Sequence, residues 1–263
     1  MDLGLRGKIA LVTGSSRGLG YATALELARE GAKVAVNSRS QEKAEAAARK
    51  IREETGAQTA ALSGDVSEAQ VPEQLVRGVV EAFGGLDLLV TNAGGPPAGP
   101  FESFDDAAWL KAVESSLMSH VRLIRAALPY LRKSKAASVL TITSFSVKQP
   151  IQNLILSNSV RAATVGLTKS LALELGQDNI RFNSILPARI MTERILQLDE
   201  ASAQRSGTTP EEEAAKSNAR SVFGRAGRPE EFAKPAVFLL SEAASYLTGV
   251  MLTVDGGMYK ATY

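Results

Sequence analysis

The sequence predicts a doubly wound α/β fold in one domain, built on a parallel sheet of about seven strands. Three observations carry this. Short β-rich runs alternate with helical stretches from one end of the 263-residue chain to the other. Those runs are continuously apolar rather than alternating, the pattern of strands covered by helices on both faces. The first run also leads directly into a glycine-rich turn that opens a helix, the strand–turn–helix junction of a Rossmann-type unit. No linker or change of composition divides the chain, so residues 1–263 read as one domain.

The elements follow in order. Residues 9–13 (Ile-Ala-Leu-Val-Thr) form the first strand, and apolar spacing at Ala24, Leu27 and Ala28 marks a helix closed by Gly31. Residues 33–37 form the second strand, followed by an Ala/Glu/Lys-rich helix over 41–55. The next pairs are strand 59–63 with helix 68–83, strand 86–91 with helix 106–132, and strand 138–143 with helix 158–176. Strands 180–186 and 251–254 complete the sheet. One segment, 193–228, breaks the rhythm: it is polar, rich in Ser, Glu and Ala, and holds Gly207 and Pro210. It follows the sixth strand at the carboxyl edge, where such sheets bind ligands, and reads either as a lid or as a surface excursion.

Composition narrows the function. The formal charge is +2 with no basic block, so the electrostatic footprint expected for nucleic-acid binding is missing. The absence of cysteine rules out disulfides and thiolate chemistry and fits a reducing compartment. The first apolar run is too short for a secretory signal, and nothing approaches the length of a membrane span. A soluble, cytoplasmic protein without a metal site is the expectation.

The glycine turn points to a phosphate ligand. Gly14, Gly18 and Gly20 follow a strand and open a helix, where glycine permits the tight turn and lets backbone approach a pyrophosphate at the helix N-terminus. Their spacing, GxxxGxG, meets the generic dinucleotide pattern only in part. At the end of the second strand, Asn37-Ser38-Arg39-Ser40 lacks the acidic residue that would bind a ribose 2′-hydroxyl. Arg39, with Arg17 in the turn, offers positive charge suited to a 2′-phosphate and so to NADP over NAD; the bland reading is a pair of solvated surface charges.

Together the motifs resemble the short-chain dehydrogenase/reductases over essentially the full length, and especially the β-ketoacyl-acyl carrier protein reductase type. They are Thr13-Gly-Ser-Ser-Arg-Gly-Leu-Gly20, Asp65-Val66, Thr91-Asn92-Ala93-Gly94, the run 187–192, Asn183, the Gly224–Glu231 stretch and Val254-Asp255-Gly256-Gly257. The resemblance implies that Gly14, Ser16, Arg17, Gly18, Leu19 and Gly20 cradle the NADP phosphates, with Ser38 and Arg39 beside the adenosine ribose. It places Asp65 and Val66 at the adenine, and Asn92, Ala93 and Gly94 beneath the cofactor. Pro187, Ile190 and Thr192 would hold the nicotinamide end, while Ala188 stands where the family usually has glycine. A small carbonyl or alcohol substrate is implied, as is a homotetramer or dimer paired through the helices at 106–132 and 158–176.

The catalytic slots depart from the family, whose members typically use Asn, Ser, Tyr and Lys. Ser144 fits the serine, but the tyrosine slot is Ser157, the lysine slot Arg161 and the asparagine slot Ser116. The tyrosines stand at 21, 130, 246, 259 and 263, none of them near this helix in sequence. A serine hydroxyl is far less acidic and shorter than a phenol, and arginine does not surrender its proton. Three substitutes stay open: Lys148 with a lowered pKa, Arg189 as an anion clamp, or water held by Ser144, Ser146 and Ser157. Lys148 could equally be a solvated loop lysine and Arg189 a surface or contact residue. His120, the one histidine, reads as packing or interface. Residues 149–156 form either a wall of the substrate site or loop packing. An NADP-dependent oxidoreductase with atypical proton delivery is the leading expectation, with Arg161 also anchoring the cofactor ribose. Against it stand a non-catalytic NADP(H) sensor and a lyase or isomerase on the same fold.

Overall fold

The computed structural model describes residues 2–262. Its strands are β1 (Ile9–Val12), β2 (Lys33–Ser38), β3 (Thr59–Ser63), β4 (Leu88–Thr91), β5 (Ser138–Ile142), β6 (Arg181–Pro187) and β7 (Met251–Val254). The helices are α1 (Gly18–Arg29), α2 (Gln41–Thr55), α3 (Val71–Phe83), α4 (Asp106–Val113), α5 (Ser119–Leu131), α6 (Ile155–Glu174), α7 (Glu193–Ser206), α8 (Pro210–Asn218) and α9 (Pro229–Leu240). All neighbouring strands are parallel in the order β3-β2-β1-β4-β5-β6-β7. Strand order reverses between β1 and β4, which opens a crevice at their carboxyl ends.

The period of two along each strand sorts the core into two layers. Ala10, Val12, Val34, Val36, Leu88 and Val90 pack against α1, α2 and α9 through Leu27, Ile51 and Phe232. Leu11, Ala35, Leu89 and Val139 face the other way, against Leu75 and Val79 of α3 and Leu123 and Leu131 of α5. Each of these large side chains stabilises the fold by roughly 1.5–3 kcal/mol relative to exposure. No helix among the described residues is long and apolar enough to cross a membrane.

Three elements differ from expectation. The helix expected over 106–132 is broken into α4 and α5 by a π turn at Glu114–Met118. The cause is partly local and partly tertiary: the Ser119 hydroxyl donates to the Ser115 carbonyl, and the Thr164 hydroxyl reaches across from α6 to the Ser116 carbonyl. Helix α9 is an addition to the expected elements, although Pro229 at its start and Glu230 and Glu231 in its first turn are helix-opening signals. Pro235 inside it weakens the local preference, and burial of Phe232, Ala236 and Val237 overrides that.

Segment 193–228 is the third difference, since most of it is helical. Thr209 and Glu212 form a capping box that starts α8, and Gly207 closes α7 in the left-handed conformation. Arg189 fastens both helices to the loop after β6. Its Nη1 and Nη2 reach the two oxygens of Asp199 at 2.9 and 2.6 Å, and its Nε donates to Asn218 Oδ1 at 2.6 Å. Both members of the ion pair are buried, which removes Arg189 from the anion-clamp role open in the sequence. Asp199→Ala leaves that guanidinium buried without a counter-charge. Urea unfolding is expected to show a loss of ~3 kcal/mol, and a loss within ~0.5 kcal/mol would show that the pair is not structural.

Candidate active site

The glycine turn lies at the carboxyl end of β1. Gly14 and Gly18 adopt φ of 56° and 59°, the left-handed region that side chains avoid. A Cβ on Gly20 would stand 2.4 Å from the Gly14 carbonyl oxygen, so the helix can begin this close to the strand only with glycine. No side chain caps α1 and its first turn holds no acid. Its first N–H groups and the positive end of its dipole therefore have no side-chain cap among the described residues. A dinucleotide phosphate fits this cradle on the chemistry of its donors alone.

Neighbouring side chains hold the turn in place. Asn92 Nδ2 donates to the carbonyls of Thr13 (3.2 Å) and Gly14 (3.1 Å), while Thr13 Oγ1 donates to Asn92 O at 2.8 Å. Asn37 Oδ1 accepts from Gly14 N at 3.1 Å, and Ser16 Oγ meets Ser38 Oγ at 3.1 Å. Leu19 turns inward to pack on the core, and Val66 is buried. Ala93 packs on the opposite layer, and nothing lies within 4 Å of a Cβ built on Gly94, which leaves open space above that turn. Arg39 is 78% exposed, with Nη1 3.9 Å from Asp65 Oδ2. Arg17 pairs with Glu193 at the start of α7. Pro187 ends β6, Ile190 is buried, and Thr192 Oγ1 donates to the Ile190 carbonyl at 3.3 Å.

The retained Ser144 and the three departed residues, Ser116, Ser157 and Arg161, lie beside this cradle. Ser144 follows β5, and its Oγ accepts from Ser146 N at 3.1 Å, which leaves its own proton to donate elsewhere. Ser157 and Arg161 lie one turn apart on α6, and both are buried. Arg161 Nη1 donates to the carbonyls of Ile142 (3.3 Å) and Thr143 (2.9 Å), so its guanidinium is held against the strand end that carries Ser144. Burial, and secondarily Arg194, lower its pKa to about 10, which keeps it cationic at neutral pH. Ser116 is buried in the π turn, and its carbonyl is taken by Thr164. His120 lies behind these groups; burial first and Arg161 second lower its pKa to about 3, so it is neutral. The hydroxyls of Thr143 and Ser146 and Nδ1 of His120 are buried and carry no protein partner.

Two residues escape a reading of the sequence alone. Tyr259, remote from α6 in the chain, returns from the last strand to meet Phe145 edge-to-face at 6.1 Å between ring centroids. Its ring also lies 5.2 Å from the Lys148 ammonium, and Lys148 is half-buried rather than freely solvated. Arg194 extends from α7 across the crevice, and its Nη2 donates to Pro96 O at 2.8 Å. Its place two residues after Thr192 is the available signal.

The chain is similar to known proteins over nearly its full length. The family model described as Enoyl-(Acyl carrier protein) reductase matches residues 14–259. The chain is 33% identical to "Short chain dehydrogenase/reductase astE" of Aspergillus oryzae, an alignment covering 97% of this chain and 95% of that protein. It is 35% identical to "L-rhamnose 1-dehydrogenase (NAD(P)(+))" of Sphingomonas sp., with 97% of each chain covered. L-Sorbose reductase from Gluconobacter frateurii, solved with NADPH and L-sorbose, superposes with a TM-score of 0.94 at 33% identity, covering 99% of this chain and 100% of that one. With its sheet order, glycine turn and near full-length matches, the chain belongs to the short-chain dehydrogenase/reductase family of oxidoreductases.

Proposed function

We propose that the protein is an NADP(H)-dependent oxidoreductase of a small carbonyl or alcohol, of the 3-oxoacyl reductase-like type, with atypical proton delivery. The observation that carries this reading is the uncapped N-terminus of α1, with Ser144 and the buried Arg161 at the same edge of the sheet. Bound nicotinamide would supply or accept the hydride. The structure of L-sorbose reductase with NADPH supports that cofactor, and Arg39, exposed at the end of β2 with no acid in its place, favours a 2′-phosphate.

The remaining chemistry falls to this chain's residues. Ser144, its oxygen already engaged by Ser146 N–H, turns its proton toward a substrate oxygen. Arg161 holds a fixed positive charge beside it, suited to ribose hydroxyls and to charge developing on that oxygen. Neither Ser157 nor Arg161 releases a proton at neutral pH. The unpaired hydroxyls of Thr143 and Ser146 favour an ordered water as the proton carrier, since buried polar groups of this kind usually hold one. Helices α7 and α8 would cover the crevice as a lid. Exposed Leu110 on α4 and Leu173 on α6 favour pairing of these helices in a homo-oligomer, and a cytoplasmic location agrees with the cysteine-free composition.

Deuterium tracing tests the function while the substrate is still unidentified. Wild-type protein incubated with deuterated NADPH and a small-molecule metabolite extract is expected to place deuterium on carbon in at least one metabolite. No labelled metabolite beyond those seen without protein would favour the sensor reading.

A further inference from the structure

The crevice contains an excess of positive charge that the fold does not neutralise. Arg161 is 7% exposed and uses only Nη1 on protein carbonyls; its Nε and Nη2 have no partner among the described residues. Arg194 is half-buried and makes one hydrogen bond, to Pro96 O. Arg161 is fastened at the carboxyl end of β5 and Arg194 beyond the carboxyl end of its neighbour β4, and neither has an ion-pair partner among the described residues.

Half-buried Arg181 and buried Arg189 show what a purely structural solution requires. Arg181 donates to the carbonyls of Leu239, Leu240, Ser241 and Leu247 and lies within the field of Glu242. Arg189 is bidentate to Asp199 and bonds Asn218 through its remaining nitrogen. Arg161 and Arg194 have neither arrangement. A guanidinium held partly out of water with N–H groups to spare is suited to an anion.

The cofactor phosphates have their own place, because their cradle is the N-terminus of α1. There the local arginine is Arg17, and it already faces Glu193. Arg194 instead reaches the run that continues past the Asn92–Gly94 turn, where a Cβ on Gly95 would stand 3.3 Å from its Nη2. Arg161 borders Ser144 and Ser157. Both arginines therefore belong to the end of the crevice where the reacting oxygen would sit.

We propose that the substrate is itself an anion, an oxo acid or hydroxy acid whose carboxylate is held between Arg194 and Arg161. Serine at 157 leaves this corner without a bulky side chain, and a carboxylate is the natural partner of a guanidinium edge with free N–H groups. The name substrate rests on the oxidoreductase reading; the anion site does not.

Calorimetric titration of the NADP⁺-saturated protein with matched pairs tests the site. Pyruvate and levulinate are compared with their methyl esters, which keep the oxo group and lose the charge. The acids are expected to bind at least ~10-fold more tightly than the esters, a preference that Arg194→Gln removes and Arg194→Lys partly restores while NADP⁺ affinity is kept. No preference for charge, including no binding of any acid, overturns the proposal. So does acid binding that competes with NADP⁺, which would assign both arginines to the cofactor. If NADP⁺ itself fails to bind, the oxidoreductase reading falls, and the same acid–ester comparison on the protein alone decides the anion site.

Discussion

Ser144→Ala is expected to lower turnover by ~10²–10³-fold, the usual effect of removing one donor aimed at a developing oxyanion. NADPH affinity is expected to stay within about twofold, because the cradle at α1 and the Asn92 bracket do not involve this side chain. The structural reason for the large effect is the direction of the hydroxyl. Its oxygen accepts from Ser146 N, so its proton has no protein acceptor and is the donor positioned at the carboxyl end of β5. Arg161 stands behind it with a charge that cannot be moved, since two strand carbonyls fix its Nη1. Turnover that survives unchanged in Ser144→Ala would remove this serine from the chemistry and give carbonyl polarisation to the guanidinium alone.

The double substitution Ser157→Tyr with Arg161→Lys carries the second large expectation. The two positions are one turn apart on α6 and both face the buried side of the crevice, so a phenol and an ammonium introduced there would be neighbours. A cation beside a phenol favours its ionised form and draws its pKa toward neutrality, which restores general acid–base assistance. Reduction of simple neutral ketones by NADPH is expected to rise by ~10²-fold or more. A double variant that folds and binds NADPH without such a gain would show that Ser116, in its π turn, or the α7 cover has diverged with the pair. Binding of carboxylate ligands is expected to weaken in the same variant, because the introduced ammonium offers a point charge in place of the planar fork of Arg161.

Much of this architecture is visible in the residues because local and global preferences agree. The inner strands are short apolar runs buried on both sides, and the glycine turn can be read from Gly14, Gly18 and Gly20 because glycine best tolerates φ of 56° and a Cβ position 2.4 Å from backbone is open to no other residue. Where tertiary contacts decide, the residues say less. The break between α4 and α5 depends on Thr164 reaching across from α6 to the Ser116 carbonyl, which no periodicity reveals. Helix α9 carries an interior Pro235 that argues against it until the burial of Phe232 is known. The role of Arg189 depends on Asp199 and Asn218, both supplied by a segment whose helices are marked only by caps. Tyr259 and Arg194 stay hidden for one reason: their positions at the crevice follow from the return of the chain to the same sheet edge, not from spacing along α6.

A crevice that takes up NADP(H) at the carboxyl edge of the sheet underlies the proposed function. Calorimetric titration of the purified protein with NADPH and, in parallel, NADH measures this before any substrate is known. Binding of NADPH at least ~10-fold tighter than NADH is the predicted result, with the gap narrowed by Arg39→Ala as the charge facing the 2′-phosphate is removed. Failure of both dinucleotides to bind would contradict the account and leave the glycine turn as scaffold alone.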